Sequence, residues 1–341
     1  MIRPIFWEED YLVLLDQARL PWEERWLRLR SWEEVAEAIR SLRVRGAPAI
    51  GIAAAYALVL AVKLPKSGRT PQEEFRLALA ELRKTRPTAV NLFWALERMN
   101  QVFEENAGHP NLPEILLREA FRIHEEDIAA NMRIGELGAK LLSPGSRVLT
   151  LCNTGALATG GHGTALGVIR TAFSQGKIEM VYACETRPVL QGARLTAWEL
   201  KKDGIPFRLI ADFAVGLLFS RKMVDAVLVG ADRVAKNGDF ANKLGTYILA
   251  VLAKRHEVPF YVVAPSTSFD LSLAQGDLIP IEERPEEEVL VPYGCRFAPE
   301  GVRAWNPAFD LTPGELVTAF VTEKGVIRPP YERTIPETLS G

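Results

Sequence analysis

From Arg147 onward the chain repeats one pattern: short apolar runs at 147–152, 179–184, 207–211, 226–230 and 259–264, each followed by a stretch with helical periodicity. Strand, helix, strand at this spacing predicts right-handed βαβ crossovers and a parallel sheet. The C-terminal part is therefore expected to be Rossmann-like in architecture, although no GxGxxG follows its first strand and the dinucleotide fingerprint is missing. In an open sheet of this kind, ligands bind beyond the carboxyl ends of the strands. Two segments place reactive side chains there. RVLTLCNTGALATGGHGTALGVI at 147–169 ends its strand on Cys152, and VLVGADRVAKNGDFANKLGTY at 227–247 ends its strand near Asp232.

The N-terminal part differs in texture. Residues 4–30 alternate as a small antiparallel sheet would, with Tyr11–Leu15 and Trp26–Leu29 as strand cores. Helices follow. Ser31 with Glu34 and Thr70 with Glu73 read as capping boxes, the second with proline at the first helical position. Further helical patterns cover about 88–105 and 112–142, and Ser143-Pro144-Gly145 stops the last of them. We expect an α/β protein of two domains: 1–130, a small antiparallel sheet plus helices, and 131–341, a Rossmann-like parallel-sheet domain. At 341 residues, 48% of them hydrophobic, the chain can fill two cores. The Pro-rich tail from about 285 is expected to wrap back, with Thr312-Pro313-Gly314-Glu315 capping a last short helix.

Composition excludes several classes. A net charge of -2 argues against nucleic acid, whose phosphate backbone needs a basic surface. Three cysteines, Cys152, Cys184 and Cys295, form no CxxC pair and suggest a reducing cytoplasm rather than a disulfide framework. The N-terminus meets acidic residues before any signal-like apolar run. The stretch Ala47–Val62 contains Pro48 and Gly51 and is shorter than the ~20 residues a bilayer requires, so it reads as a buried helix and no membrane partner is expected. No HxH, HExxH or CxxC spacing supports a metal.

The candidate chemistry rests on residue types. A strand-end cysteine is most often a small buried hydrophobe. Asn153, Thr154 and Gly155 after Cys152, the flexible Gly160–Gly163 run and a helix N-terminus beyond it favour a functional thiol. Asp232 reads either as an N-cap or as a carboxyl whose pKa burial could raise for general-acid work, with Asn242 and Lys243 entering a helix beside it. For an anion, Arg45-Gly46-Ala47-Pro48 offers a guanidinium and a helix start, Thr85-Arg86-Pro87-Thr88 a second, and Arg187 with Gln191 a third. His162 reads as a loop donor, and His109, His124 and His256 as structural or exposed.

RGAPAIG at 45–51, TRPTAVNLFWAL at 85–96, CNTGALAT at 152–159, ETRPVLQGARLTAWEL at 185–200, GADRVAKNGDFANKLGTY at 230–247 and NPAFDLTP at 306–313 resemble, in order, the signatures of one family. It comprises the aldose–ketose isomerases of methionine salvage that act on 5-methylthioribose 1-phosphate, the ribose-1,5-bisphosphate isomerases, and the alpha, beta and delta regulatory subunits of a eukaryotic translation-initiation exchange factor. The resemblance implies that Asp232 is the proton donor and Cys152 the group stabilising the transition state. It implies substrate contacts at Arg45, Gly46, Ala47, Arg86, Gln191, Asn242 and Lys243. It further implies a sugar-phosphate substrate, a homodimer, and neither metal nor nucleotide cofactor. Phe93 and Trp94 hint at an apolar subsite suited to a methylthio group, with core packing as the plainer reading; a bisphosphate substrate would need a second cationic subsite.

Overall fold

The computed structural model describes residues 2–86 and 89–340. The chain divides into two compact units. One takes the chain up to Met132 together with Gly155–Gly163; the other takes Arg133–Thr154 together with the chain from Thr164 on.

In the first unit, β1 (Ile5–Glu8), β2 (Tyr11–Leu15) and β3 (Trp26–Leu29) form an antiparallel sheet in sequence order, as the alternation predicts. Helices α1 (Trp32–Arg40), α2 (Ala47–Lys63), α3 (Pro71–Arg83) and α4 (Val90–Asn106) follow. Both capping boxes are present, Ser31 with Glu34 and Thr70 with Glu73. Apolar all round, α2 is buried along its length, as a helix with no polar face must be. It carries Tyr56 and Leu58 into a core shared with Val35, Leu92 and Leu116. Nearby, the rings of Phe75 and Phe103 stack with centroids 3.8 Å apart. The boundary between the units falls within the long helix α5 (Leu112–Ala139).

The second unit is built on a seven-stranded sheet: β4 (Ser146–Thr150), β5 (Ile178–Cys184), β6 (Phe207–Ile210), β7 (Ala226–Val229), β10 (Phe260–Val263), β13 (Ala319–Val321) and β14 (Val326–Ile327). Their order is β14-β13-β10-β7-β4-β5-β6, parallel except for β14. Alternate residues face opposite sides. Leu149, Val227, Phe260 and Phe320 meet α8 (Val215–Ser220), α9 (Thr246–Arg255) and α11 (Tyr331–Ser340). Val148, Val181, Leu228 and Val263 meet α6 (Ala165–Ser174), α7 (Ala197–Lys202) and the end of α5. Covered on both faces, the central strands β4, β5, β7 and β10 read as mostly apolar runs. The expected Rossmann-like fold is observed.

Three expectations are corrected. After β7 the chain forms a hairpin, β8 (Arg233–Ala235) and β9 (Phe240–Lys243), so Asn242 and Lys243 end a strand and α9 begins only at Thr246. With β11 (Phe269–Asp270) and β12 (Phe309–Thr312) the hairpin makes a second sheet, β11-β8-β9-β12. The tail holds the small helix α10 (Glu287–Leu290), and Thr312 ends β12 instead of capping a helix; Gly314–Leu316 is a single 3₁₀ turn, and the last helix is α11. The Gly314 N–H that such a cap would have served donates instead to Asp239 Oδ1 at 2.9 Å.

Candidate active site

Walking outward from β4, the sheet runs to β5 and β6 on one side and to β7 and β10 on the other. That reversal between β4 and β7 is the switch point where α/β sheets open a crevice. Cys152 lies just past β4 and Asp232 just past β7, so the two candidate groups flank it. The loops meet there, with Gly230 packed directly against the Thr154 side chain.

The strand stops at Thr150, and Cys152 turns to φ 63°. This left-handed conformation costs a non-glycine residue about 1–2 kcal/mol. Two hydroxyls hold it: the Cys152 N–H donates to Thr186 Oγ1 at 2.9 Å, and the Thr196 hydroxyl donates to the Cys152 carbonyl at 2.6 Å. Thr196 closes a π-helical turn, Gly192–Thr196. Glycine is required at 192, since a Cβ there would lie 1.7 Å from the Cys184 carbonyl oxygen. Next to the cysteine, buried Asn153 donates its amide to Glu199 at 2.7 Å, and Glu199 in turn accepts from Arg170 at 2.6 Å. Of the sequence signals, the helix N-terminus is weaker than expected. Gly155–Gly163 leave for the first unit before α6 starts, and the Leu166 N–H at its first turn already donates to Thr154 Oγ1. Cys184 is buried, which pushes its thiol far above the usual range and leaves it inert.

Asp232 is half-buried, and its N–H donates to the Ala241 carbonyl at 2.9 Å, tying the end of β7 to β9. Lys243 closes β9 with only 7% of its surface exposed and forms no ion pair among the described residues. Its ammonium stands 5.6 Å from the centre of the Phe309 ring. Burial pushes its pKa below the ordinary lysine value, while the fields of Cys152, Asp232 and Glu288 pull it back up. Thiol, carboxyl and ammonium thus act on one another at the switch point. Asn242, also buried, donates to Thr246 Oγ1 at 2.9 Å. Gln191 is buried, and its Oε1 has no partner among the described residues, an acceptor available to a hydroxyl-bearing ligand.

Sequence reasoning missed Thr186, Thr196 and Asp310. Asp310 stands opposite Asn242 on β12 and accepts from the Gly245 and Tyr247 N–H groups at the start of α9. Burial pushes its pKa up to about 6, against those amides and the Lys243 charge. The Arg187 guanidinium donates to the Val289 and Pro188 carbonyls, which braces the 284–295 segment.

In the first unit, Arg45 is buried and donates through Nε to Gln17 Oε1 at 3.3 Å, while Gln17 donates to the Leu157 carbonyl at 2.7 Å. Gly46 takes φ 93° ahead of Ala47, the first residue of α2, and an added Cβ would lie 2.5 Å from Ala158. The signatures at 45–51 and 155–158 are therefore packed together. Arg86 is half-buried; Pro87 and Thr88 of the same candidate cluster lie outside the described residues. Trp94 is exposed on α4 with the Arg98 guanidinium 5.5 Å from its ring. His124 is buried as a structural histidine between Tyr56 and the Gly160 carbonyl. No group of three or more metal-ligating side chains occurs, and no helix is long and apolar enough to cross a membrane, among the described residues.

Fold and site together define a doubly wound α/β protein with a candidate small-molecule site at the switch point of its sheet. More particularly, the chain belongs to the Initiation factor 2 subunit family, whose model matches residues 43–329. It is 56% identical over 333 residues to a methylthioribose-1-phosphate isomerase of Thermotoga neapolitana, covering 98% of this chain and 97% of that one. It is 57% identical over 328 residues to a protein of the same name from Alkalilimnicola ehrlichii, covering 96% and 94%. The crystal structure of 5-methylthioribose 1-phosphate isomerase from Pyrococcus horikoshii OT3 superposes with a TM-score of 0.92 at 45% identity, covering all of this chain and 96% of that one. A structure from A. fulgidus described as subunit delta of translation initiation factor eIF-2B gives 0.87 at 46% identity, covering both chains completely.

Proposed function

We propose that this protein is an aldose–ketose isomerase converting 5-methylthioribose 1-phosphate to 5-methylthioribulose 1-phosphate in methionine salvage. The observation that carries the reading is Lys243, a buried ammonium with no ion pair among the described residues, acted on by the fields of both Cys152 and Asp232. A buried cation of this kind favours a bound phosphate. The isomerases of the same name, matched along nearly the whole chain, support the substrate.

In an aldose 1-phosphate the anomeric carbon is blocked by its ester, so the ring opens only if the ring oxygen takes a proton. Asp232 is the proposed donor. The C2 hydrogen then reaches C1 by one of two balanced routes. It leaves as a proton, giving an enol phosphate that is reprotonated at C1 as its C2 hydroxyl loses its proton, or it shifts as a hydride while the C2 hydroxyl loses its proton. Cys152 serves either as the base near C2 or as a group stabilising the developing charge. Lys243, Asn242 and Gln191 hold the substrate in the second unit, and Arg45, Gly46, Ala47 and Arg86 in the first unit are its further proposed contacts. Fixed positioning supplies part of the rate.

We further propose a cytoplasmic homodimer. The three free cysteines suit a reducing compartment. Tyr247, Ile248 and Val251 form an exposed apolar stripe along α9, with Leu244 just before it and Phe213 and Leu217 at the adjoining α8. Such a stripe suits a second copy of the chain.

Incubating purified protein with the aldose phosphate and following formation of the ketose phosphate tests the activity; a folded protein that forms none ends the proposal. A noncatalytic binding subunit is the second reading, favoured by the description of the A. fulgidus relative. Alanine at Asp232 or Cys152 separates the two, since it abolishes turnover but leaves a pure binding role intact.

A further inference from the structure

Asp212, Thr186 and Cys152 follow the carboxyl ends of β6, β5 and β4, three neighbouring strands, and hydrogen bonds join them in that order. Asp212 grips the β5 loop with both carboxylate oxygens: Oδ1 accepts from the Thr186 N–H and Oδ2 from the Arg187 N–H, each at 2.7 Å. Held this way, Thr186 sits at φ 65°, a conformation that β-branched residues seldom take. Its hydroxyl donates to the Cys184 carbonyl at 3.1 Å, which leaves an oxygen lone pair to accept the Cys152 N–H. From the opposite side, the π-helical turn at Gly192–Thr196 brings the Thr196 hydroxyl to the Cys152 carbonyl.

Glycine is the default wherever the chain must turn left-handed, and it would relieve the strain at 152 and 186 alike. The chain instead keeps a thiol at one position and a hydroxyl at the other, and meets the strain with hydrogen bonds from two further elements. Over-determined strain of this kind, beside a π-helical insertion, clusters at functional sites.

We propose that Thr186, gripped by Asp212, is a positioning residue for the Cys152 thiol, with Thr196 as its counterpart on the carbonyl side. The two hydroxyls fix the peptide units on either side of the Cys152 Cα, and hence the point from which the thiol projects. Loss of either lets Cys152 relax toward an ordinary conformation and carries its sulfur away from the reacting carbons. The inference rests on the reading of Cys152 as a group at the reaction centre.

The test compares Thr186→Val, which keeps the shape and deletes the hydroxyl, with Thr186→Ser, which restores it; Thr196→Val and Thr196→Ser repeat the comparison should the first valine variant fail to fold. With the aldose phosphate, the valine variant is expected to lose at least ~10-fold in kcat with KM within about twofold, and the serine variant to stay within about threefold of the parent. Independently of turnover, iodoacetamide alkylation of Cys152 in a Cys295→Ser background is expected to change at least ~5-fold in the valine variant and less than about twofold in the serine variant. A folded valine variant with parental kcat and parental alkylation overturns the inference, as does a loss that merely tracks the folded fraction measured by circular dichroism. If the parent protein itself does not turn over the aldose phosphate, the isomerase reading fails, and the alkylation comparison still decides the positioning of the thiol.

Discussion

Lys243 and Phe309 are register partners on β9 and β12, and the lysine ammonium stands 5.6 Å from the centre of the phenyl ring. The ring covers the cation without neutralising it, which leaves the charge for an anionic ligand. Lys243→Met keeps the length of the side chain and removes the charge. A charge-assisted hydrogen bond contributes about 1.5–3 kcal/mol, so KM for the sugar phosphate should rise about 10–100-fold with kcat little changed. Steady-state kinetics checks this, and a loss confined to kcat would contradict a phosphate-binding role.

Asp232→Asn should lower kcat at least ~100-fold, the usual scale for a general acid. A second measurement concerns the alkaline limit of binding set by Lys243. Binding needs the ammonium and is lost as pH rises through the native pKa of Lys243, which burial already holds below the ordinary value. The parent protein should therefore lose substrate binding on the alkaline side at a pH below the ordinary lysine range. KM measured from roughly pH 7 to 10 reads this limit.

His124 should make stability sensitive to acid. The Gly160 carbonyl can only accept, so Nε2 carries the proton and Nδ1 accepts from the Tyr56 hydroxyl. Burial, only partly offset by the Gly160 hydrogen bond, lowers the native pKa of the ring. The unfolded chain therefore binds the proton more readily, and the contribution of His124 is complete above about pH 6.5 and lost as pH falls below it. Melting temperatures of the parent and His124→Gln should converge on acidification from about pH 8 to 5; a constant gap would refute this.

Gly46→Ala should destabilise the first unit. At φ 93° the new Cβ carries the left-handed cost and meets the Ala158 backbone at 2.5 Å. A loss of about 2–4 kcal/mol is expected in urea titration. A change within about 0.5 kcal/mol would mean that the 155–158 turn moves freely.

Ile248→Asp places a charge in the middle of the exposed stripe on α9. Sedimentation velocity should show the dimer dissociating to a folded monomer. A dimer of unchanged affinity would assign the interface to another face.

β4, β5, β7 and β10 were legible because burial on both faces leaves them mostly apolar, and both capping boxes were legible because their hydrogen bonds are local. The β8–β9 hairpin escaped because its strands are short and carry charged and polar residues. Its one clear signal is Asn237-Gly238, the dipeptide that favours tight hairpin turns. β12 was unreadable, since its only ladder partner among the described residues is β9, far earlier in the chain.

The sequence by itself determined which elements form, their order, and that Cys152 and Asp232 follow strands, because those features depend on periodicity and near neighbours. Tertiary structure decided that β4 and β7 lie side by side at the switch point, that Lys243 feels both groups, and that hydroxyls from Thr186 and Thr196 hold Cys152 left-handed. Those relationships join residues distant in the chain, and they are fixed by strand order and register, which are set only when whole faces are buried together.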